Sequence, residues 1–312
     1  MRIGIVTDSC CDLPRAFLDR HQIEILPITI RSGETTFIDK RDPKATQQFY
    51  KSLGDAEYLS EPFSVDAISQ RFLERLVVEF DYVFCLTVMS SRSKIFDNAT
   101  QAARAILTDY RPIREAAGHT RPFSLRVFDS QNLFVGQGLI VAEAARLAEQ
   151  DATTSAIIAR IEQLSHCTQA FLIPSDLSQL RNNARRKGDK SVGLASYLLG
   201  SALDIKPVIR GFQGDTHPVA KVRGFEAGVN KLFNLAIKLI EGKHLLSSIV
   251  TVSFGGDPAE VAQLPGYVDL VACAARHGVD VLVSEMSVTA GVNIGAGGLA
   301  LAFAAEHEIP FD

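Results

Sequence analysis

Side chains with chemical capacity gather in three loops and one basic run. Thr7, Asp8, Ser9 and Asp12 close a short β-rich run, Arg2 to Thr7, and set hydroxyls beside carboxylates. At the carboxyl end of a parallel strand such a cluster can face a ligand. The same residues also suit turn and cap duty, since Asp12 with Pro14 shortly after starts a helix well. Ser90, Ser91, Arg92, Ser93 and Lys94 follow a second apolar run, Tyr82 to Val88. Hydroxyls and exposed amides at a strand-to-helix junction make a site for a carboxylate or phosphate, although capping alone needs one serine. A third segment, Val288 to Gly298, combines Asn293 with Gly291, Gly295, Gly297 and Gly298. Gly295-x-Gly297-x-x-Ala300 meets the loose dinucleotide fingerprint. It lies near the C-terminus, with no later strand expected and no acidic residue about 20 positions on, so NAD binding is rejected. Glycines there let backbone approach a ligand or another element closely. The basic run is Arg181, Arg185, Arg186, Lys187 and Lys190. On a helix Arg181 and Arg185 share a face, which is either a solvated face or a local basic edge.

The elements that must position these loops alternate in hydrophobic period. Strands are expected at Arg2 to Thr7, at Ile23 to Ile30 with Pro27 marking an edge or bulge, at Tyr82 to Val88 and at Leu125 to Phe128. Helices are expected over Asp66 to Phe80, Ser93 to Tyr110 and Leu133 to Glu149. That alternation predicts a parallel sheet with helices on both faces. Beyond Asp151 the pattern changes. A helix from Ser155 to Leu164 and a strand from Gln169 to Ile173 precede the basic run. Strands Ile205 to Arg210 and Pro218 to Val222 then form a hairpin around Gln213, Gly214 and Asp215. A helix Glu226 to Glu241, strands Ser248 to Phe254 and Val279 to Glu285 around a helix Ala259 to His277, and a last helix Gly298 to Ala305 complete the reading. The expected fold class is α/β with two domains, residues 1–153 around a parallel sheet and 154–312 around a mixed sheet.

The chain has 312 residues, 46% hydrophobic and 22% charged, as an ordinary globular protein does, and its length suits two domains. A net charge of −4 supplies no polybasic field for nucleic acid. No apolar stretch reaches the roughly 18 to 20 residues of a membrane-spanning helix. The apolar start is too short for a signal peptide, so a cytoplasmic location with Cys10, Cys11, Cys85, Cys167 and Cys273 as reduced thiols is expected. No metal-ligand spacing, P-loop or nucleophile elbow is present, and no cofactor is expected.

In order along the chain, these segments resemble the DegV family of bacterial fatty-acid-binding proteins. Val6-Thr7-Asp8-Ser9-x-x-Asp12-Leu13-Pro14 is similar to the family's V-T-D-S-x-x-D-L-P start, and Ile25-Leu26-Pro27-Ile28 to its second strand. Ser60-Glu61-Pro62 stands where the family has T-S-Q-P-S, and Ser90 to Ala99 resembles S-x-x-L-S-G-T-Y-x-S-A. Asp129-Ser130 through Gly136-Gln137-Gly138, Leu203 to Pro207, Lys221 to Gly224, and Ile294 to Gly297 match further family motifs.

The resemblance implies one acyl chain in a tunnel between two α/β domains, delivered to a separate ATP-dependent kinase that phosphorylates its carboxylate. It implies no chemistry by the carrier itself. Burying ten methylenes is worth about 8 kcal/mol, near micromolar affinity before ordering costs. The family's carboxylate-binding serine falls on Ser93, and Ser91, Lys94, Ser60, Asn293 and Gly295 complete the implied head-group site. Asp8, Ser9, Arg92 and Ser130 are secondary candidates. The pattern departs from the family at Leu59, where a threonine is usual, at Lys94 (a glycine) and at Asn293 (a histidine). Lys94 or Arg92 would then supply positive charge to the carboxylate. Arg181, Arg185, Arg186, Lys221 and Arg223 are the implied docking edge for the kinase. The competing expectation is an enzyme acting on a small anionic substrate in the same cleft, with Asp8 or Asp129 as general base.

Overall fold

The computed structural model describes residues 1–54, 56–177 and 204–311. Four parallel strands form the first sheet, in the order β2 (Glu24–Leu26), β1 (Ile3–Asp8), β6 (Tyr82–Thr87), β7 (Ser124–Asp129). The central strands are buried on both faces, which is why β6 reads as a near-continuous apolar run. Helices α1 (Arg15–Arg20), α3 (Val65–Arg71), α4 (Ile95–Ala105) and α5 (Tyr110–Ala116) connect and cover this sheet. Ser64 caps α3, its Oγ accepting from Ala67 N at 3.2 Å. A π-helical turn, Phe72–Leu76, and a closing turn, Val77–Glu79, extend α3 over most of the expected helix.

Pro27 divides the expected second strand. Residues before it join the parallel sheet as β2, while β3 (Ile28–Ser32) pairs antiparallel with β4 (Thr35–Asp39) and β5 (Leu59–Glu61) in a small separate sheet. Ser9 serves the switch: its amide donates to Leu26 O at 3.0 Å and its Oγ accepts from Ile28 N at 2.9 Å. Between β4 and β5 lies α2 (Pro43–Ser52), capped by Asp42.

The second sheet is mixed, with six strands in the order β10 (Asp215–Arg223), β9 (Ile205–Phe212), β8 (Thr168–Ile173), β13 (Leu299–Ala304), β11 (Ile249–Phe254), β12 (Asp280–Glu285). The β11–β12 pair is parallel and the rest antiparallel, and β9 and β10 form the expected hairpin. Expectations fail at several points. Gly298 to Ala305 is not a helix: Leu299 to Ala304 forms β13, fully buried between β8 and β11. Alanine and leucine favour helix in isolation, but pairing on both edges overrides that preference. The last helix is instead α10 (Val288–Ile294), with Ser287 at its N-cap. A strand therefore does follow the glycine loop. The loop still runs from helix to strand, the reverse of a dinucleotide-binding turn. The helix expected over Ala259 to His277 is also broken, because Pro265-Gly266 separates a 3₁₀ segment, Pro258–Gln263, from α9 (Tyr267–His277). Likewise the expected Ser93 to Tyr110 helix is shorter, ending at Ala105 before α5 begins at Tyr110.

The two sheets share α6 (Phe134–Glu149), which packs on β1 and β6 on one side and on β8, β11 and β13 on the other. Most of its side chains are buried, so it carries apolar residues all round rather than one stripe. Such packing requires close approach: a Cβ on Gly138 would stand 2.4 Å from Asp12 O. α7 (Thr154–Cys167), capped by Thr153, packs beside α6, and α8 (Phe225–Glu241) and α9 cover the other face of the mixed sheet.

Candidate functional site

Asp8, Thr87 and Asp129 stand at the carboxyl ends of β1, β6 and β7, and their loops meet there. Two carboxylates organise those loops. Asp8 accepts from Val88 N at 2.7 Å, Cys10 N at 2.9 Å and Gln137 Nε2 at 3.2 Å. Burial raises its carboxyl to about 6 against the lowering effect of those donors. Asp129 accepts from Ser90 N at 3.2 Å and Oγ at 2.5 Å through one oxygen, and from Gln131 N at 2.8 Å through the other. A fully buried, donor-saturated Asp8 offers no open oxygen to a substrate proton, so the general-base expectation for it loses its geometric basis.

The loop from Ser90 to Lys94 leaves this edge and is mostly exposed, with Ser93 half-buried. Ser93 Oγ accepts from Ile95 N at 3.3 Å at the start of α4, and Lys94 is exposed beside it. Ser91 and Arg92 turn toward the mixed sheet instead. Ser91 Oγ donates to Gly214 O at 2.6 Å, and the Arg92 guanidinium donates to Thr216 Oγ1. Gly214 N donates to Gln131 O at 2.7 Å, so the β9–β10 turn is strapped to two loops of the parallel sheet. Ser60 is exposed on β5, opposite Ile30 of β3. Phe63, just beyond β5, accepts from Asn98 Nδ2 of α4 at 2.8 Å, which ties the Ser60 strand to the helix that follows Ser93. Asn293 and Gly295 lie at the C-terminal end of α10, and α10 packs on β3 and α2. β3 therefore touches both the strand that carries Ser60 and the helix that carries Asn293.

The remaining candidates are placed differently. Ser9 holds the β2–β3 switch, and Ser130 is buried, donating to Asn132 O at 3.0 Å and accepting from Asn132 N at 3.2 Å. Lys221 and Arg223 are exposed on β10, about 17 to 24 Å along the strand from Thr216. Arg181, Arg185 and Arg186 lie outside the described residues. A cavity of about 280 Å³ opens near Lys243, Leu245 and His277, and none of the site candidates borders it.

A buried polar cluster escaped sequence reasoning. Asp39, Arg41 and Tyr50 belong to no motif and to no element expected from the sequence. Arg41 is fully buried, with Nη2 donating to Glu285 O at 2.8 Å and Nη1 3.6 Å from Asp12 Oδ1. Burial raises the carboxyls of Asp12, Asp39 and Glu285, and Arg41 offsets part of that rise. Among the described residues no group of His, Cys, Asp and Glu side chains could hold a metal ion. No helix among them is long and apolar enough to cross a membrane.

These features define an α/β protein of one parallel and one mixed sheet beside a small antiparallel one, the first two joined through a shared buried helix, with polar loops meeting where they are strapped together. Solved structures share this fold along nearly the whole chain. A stearic-acid-binding protein from Eubacterium ventriosum aligns with a TM-score of 0.78 at 22% identity, covering 97% of this chain and 98% of that one. A Thermus thermophilus DegV family protein, described for its fatty-acid binding, aligns with a TM-score of 0.73 at 22% identity, covering 98% and 100%. A DegV domain-containing protein of Xanthomonas axonopodis pv. citri is 52% identical over 309 residues, 98% of each chain. The family model described as "Uncharacterised protein, DegV family" matches residues 2–306. The chain belongs to the DegV family.

Proposed function

We propose that this chain is a cytoplasmic carrier of one long-chain fatty acid, held between an N-terminal unit (1–153) and a C-terminal unit (154–312). Its carboxylate sits at Ser93, with Ser91, Lys94, Ser60, Asn293 and Gly295 around it, and is presented to a separate ATP-dependent fatty-acid kinase. One observation carries the reading. A continuous apolar cluster runs from Val88, Met89 and Ile95 beside the parallel sheet, through Ile28 and Ile30 of β3 and Ile294 of α10, to Leu172 and Ala300 of the mixed sheet. The hydroxyl- and cation-bearing Ser90 to Lys94 loop leads directly into it at Ile95. An amphiphile with a long apolar tail and one anionic end matches such a boundary, and each buried methylene contributes about 0.8 kcal/mol. The fatty-acid-binding descriptions of the Eubacterium and Thermus proteins support the same reading. Exposed Lys221 and Arg223 are assigned to kinase docking, with Arg181, Arg185 and Arg186, which lie outside the described residues, assigned to it from the sequence.

Organic extraction of protein purified from a bacterial host, followed by mass spectrometry, tests the carrier role. A stoichiometric fatty acid is expected; a lipid-free protein that also fails to bind palmitate or oleate overturns it. Ser93→Ala is expected to weaken palmitate about tenfold, the loss of one hydrogen bond to a charged group. Unchanged affinity would remove Ser93 from the head-group site.

A further inference from the structure

The backbone from Glu285 to Val288 is held by side chains of residues 12 to 50, far away in sequence. Arg41 Nη2 donates to Glu285 O at 2.8 Å, and Tyr50 Oη lies 3.2 Å from both Met286 O and Ser287 O. Asp12 accepts from Ser287 N at 2.8 Å, and Asp39 from Val288 N at 3.1 Å. Tyr50 also packs against the body of α10, where a Cβ on Gly291 would fall 2.4 Å from its hydroxyl oxygen. Arg41 adopts a left-handed backbone conformation, φ 57°, with its own amide donating to Asp39 Oδ1 at 2.9 Å. A non-glycine residue holds that conformation where its surroundings over-determine it.

The far end of α10 follows its near end. Asn293 Nδ2 donates to Thr289 O at 2.7 Å and Gly295 N to Gly291 O at 2.8 Å, so both are fixed to the helix's own backbone. A seven-residue helix has no room to absorb a shift internally.

We propose that Tyr50, together with Asp12, Asp39 and Arg41, positions α10 and through it the Asn293–Gly295 end of the head-group site. This role rests on the carrier reading above. These four residues do not touch the carboxylate; they set where its partners stand. Their removal therefore costs head-group recognition more than tail contact, to which α10 contributes Ile294 beside residues of β3, α4 and the mixed sheet.

Tyr50→Phe keeps the ring and deletes the hydroxyl, and Asp39→Asn perturbs the same helix independently. Dissociation constants for palmitate and for hexadecanol, which has the same chain without the carboxylate, separate head from tail. Tyr50→Phe is expected to weaken palmitate about tenfold and hexadecanol less than about twofold, with Asp39→Asn following the same pattern. Combined with Asn293→Ala, Tyr50→Phe should add less than about twofold, because both act through one contact. Equal losses for the two ligands, or full additivity with Asn293→Ala, would overturn the positioning role. An Asn293→Ala protein that loses palmitate selectively, beside a Tyr50→Phe protein that loses nothing, overturns the positioning role alone. If Asn293→Ala leaves the palmitate-to-hexadecanol ratio unchanged, the head-group assignment of α10 fails and the proposal fails with it.

Discussion

Replacing Asp8 with asparagine removes a titratable group from the most buried corner of the strand-end cluster while keeping its size. The wild-type carboxyl is fully buried, and three uncharged donor residues, Cys10 through both amide and thiol, leave its pKa raised from 3.8 to about 6. A gap of about two pH units corresponds to about 3 kcal/mol, at about 1.36 kcal/mol per unit. The folded value lies above the unfolded one, so the folded chain binds the proton more tightly between them. Stability from this group is then full below about 3.8, the unfolded value, and is lost as pH rises through about 6. Between pH ~4.5 and ~6.5 the wild type should lose about 2 kcal/mol relative to Asp8→Asn, or about 3 °C in melting temperature for a chain of this size. Thermal unfolding of both proteins across that range reads the effect. The raised carboxyls of Asp12, Asp39 and Glu285 are common to the two proteins, so they cancel in the difference. A difference that stays constant, or that moves in favour of the wild type as pH rises, refutes the claim that burial outweighs the three donors.

Two further outcomes follow from close contacts. Gly138→Ala places a methyl 2.4 Å from Asp12 O and 3.3 Å from Leu13 Cγ, so α6 or the β1 loop must shift. A loss of about 1 to 3 kcal/mol by urea unfolding is expected, and a neutral or stabilising effect would show that the junction yields freely. Removing the strap with Ser91→Ala and Arg92→Ala together should speed amide exchange at Gln213 to Thr216, while global stability changes by less than about 1 kcal/mol. Unchanged exchange there would mean that the Gly214 N to Gln131 O bond holds the turn unaided.

The parallel half was legible because its signals are local. Buried central strands read as apolar runs, Pro27 marked a real discontinuity, and Thr153 capped α7 close to the point where the pattern changes. The Gln213 to Asp215 hairpin was legible for the same reason. What escaped depends on pairing and distance. Leu299 to Ala304 carries helix-forming residues, and its partners on β8 and β11 lie about 126 to 136 and 45 to 51 positions earlier in the chain. Thr35 to Asp39 and Leu59 to Glu61 are short, largely exposed edge strands whose composition differs little from that of loops.

The same distinction applies to the candidate site. Ser90 to Lys94 stood out because hydroxyls and cations crowd one strand-to-helix junction, a pattern confined to five neighbouring residues. Tyr50, Asp39 and Arg41 gave no comparable signal, since each acts on backbone atoms some 240 positions away. Tyr50 carries no motif in sequence, and the two carbonyls 3.2 Å from its hydroxyl are brought there only by the fold. Their importance follows from what α10 lacks. Its buried N-terminal backbone must find partners, and beside those within the C-terminal half, such as Phe254 O for Met286 N at 2.8 Å, the other half supplies the side chains of Arg41, Tyr50, Asp12 and Asp39. On the carrier reading proposed above, α10 closes one side of the binding site, and its anchors in the opposite half hold it there while the two halves stay together. The integrity of the site and the integrity of the junction are then one physical quantity, and the palmitate-to-hexadecanol ratio measures it.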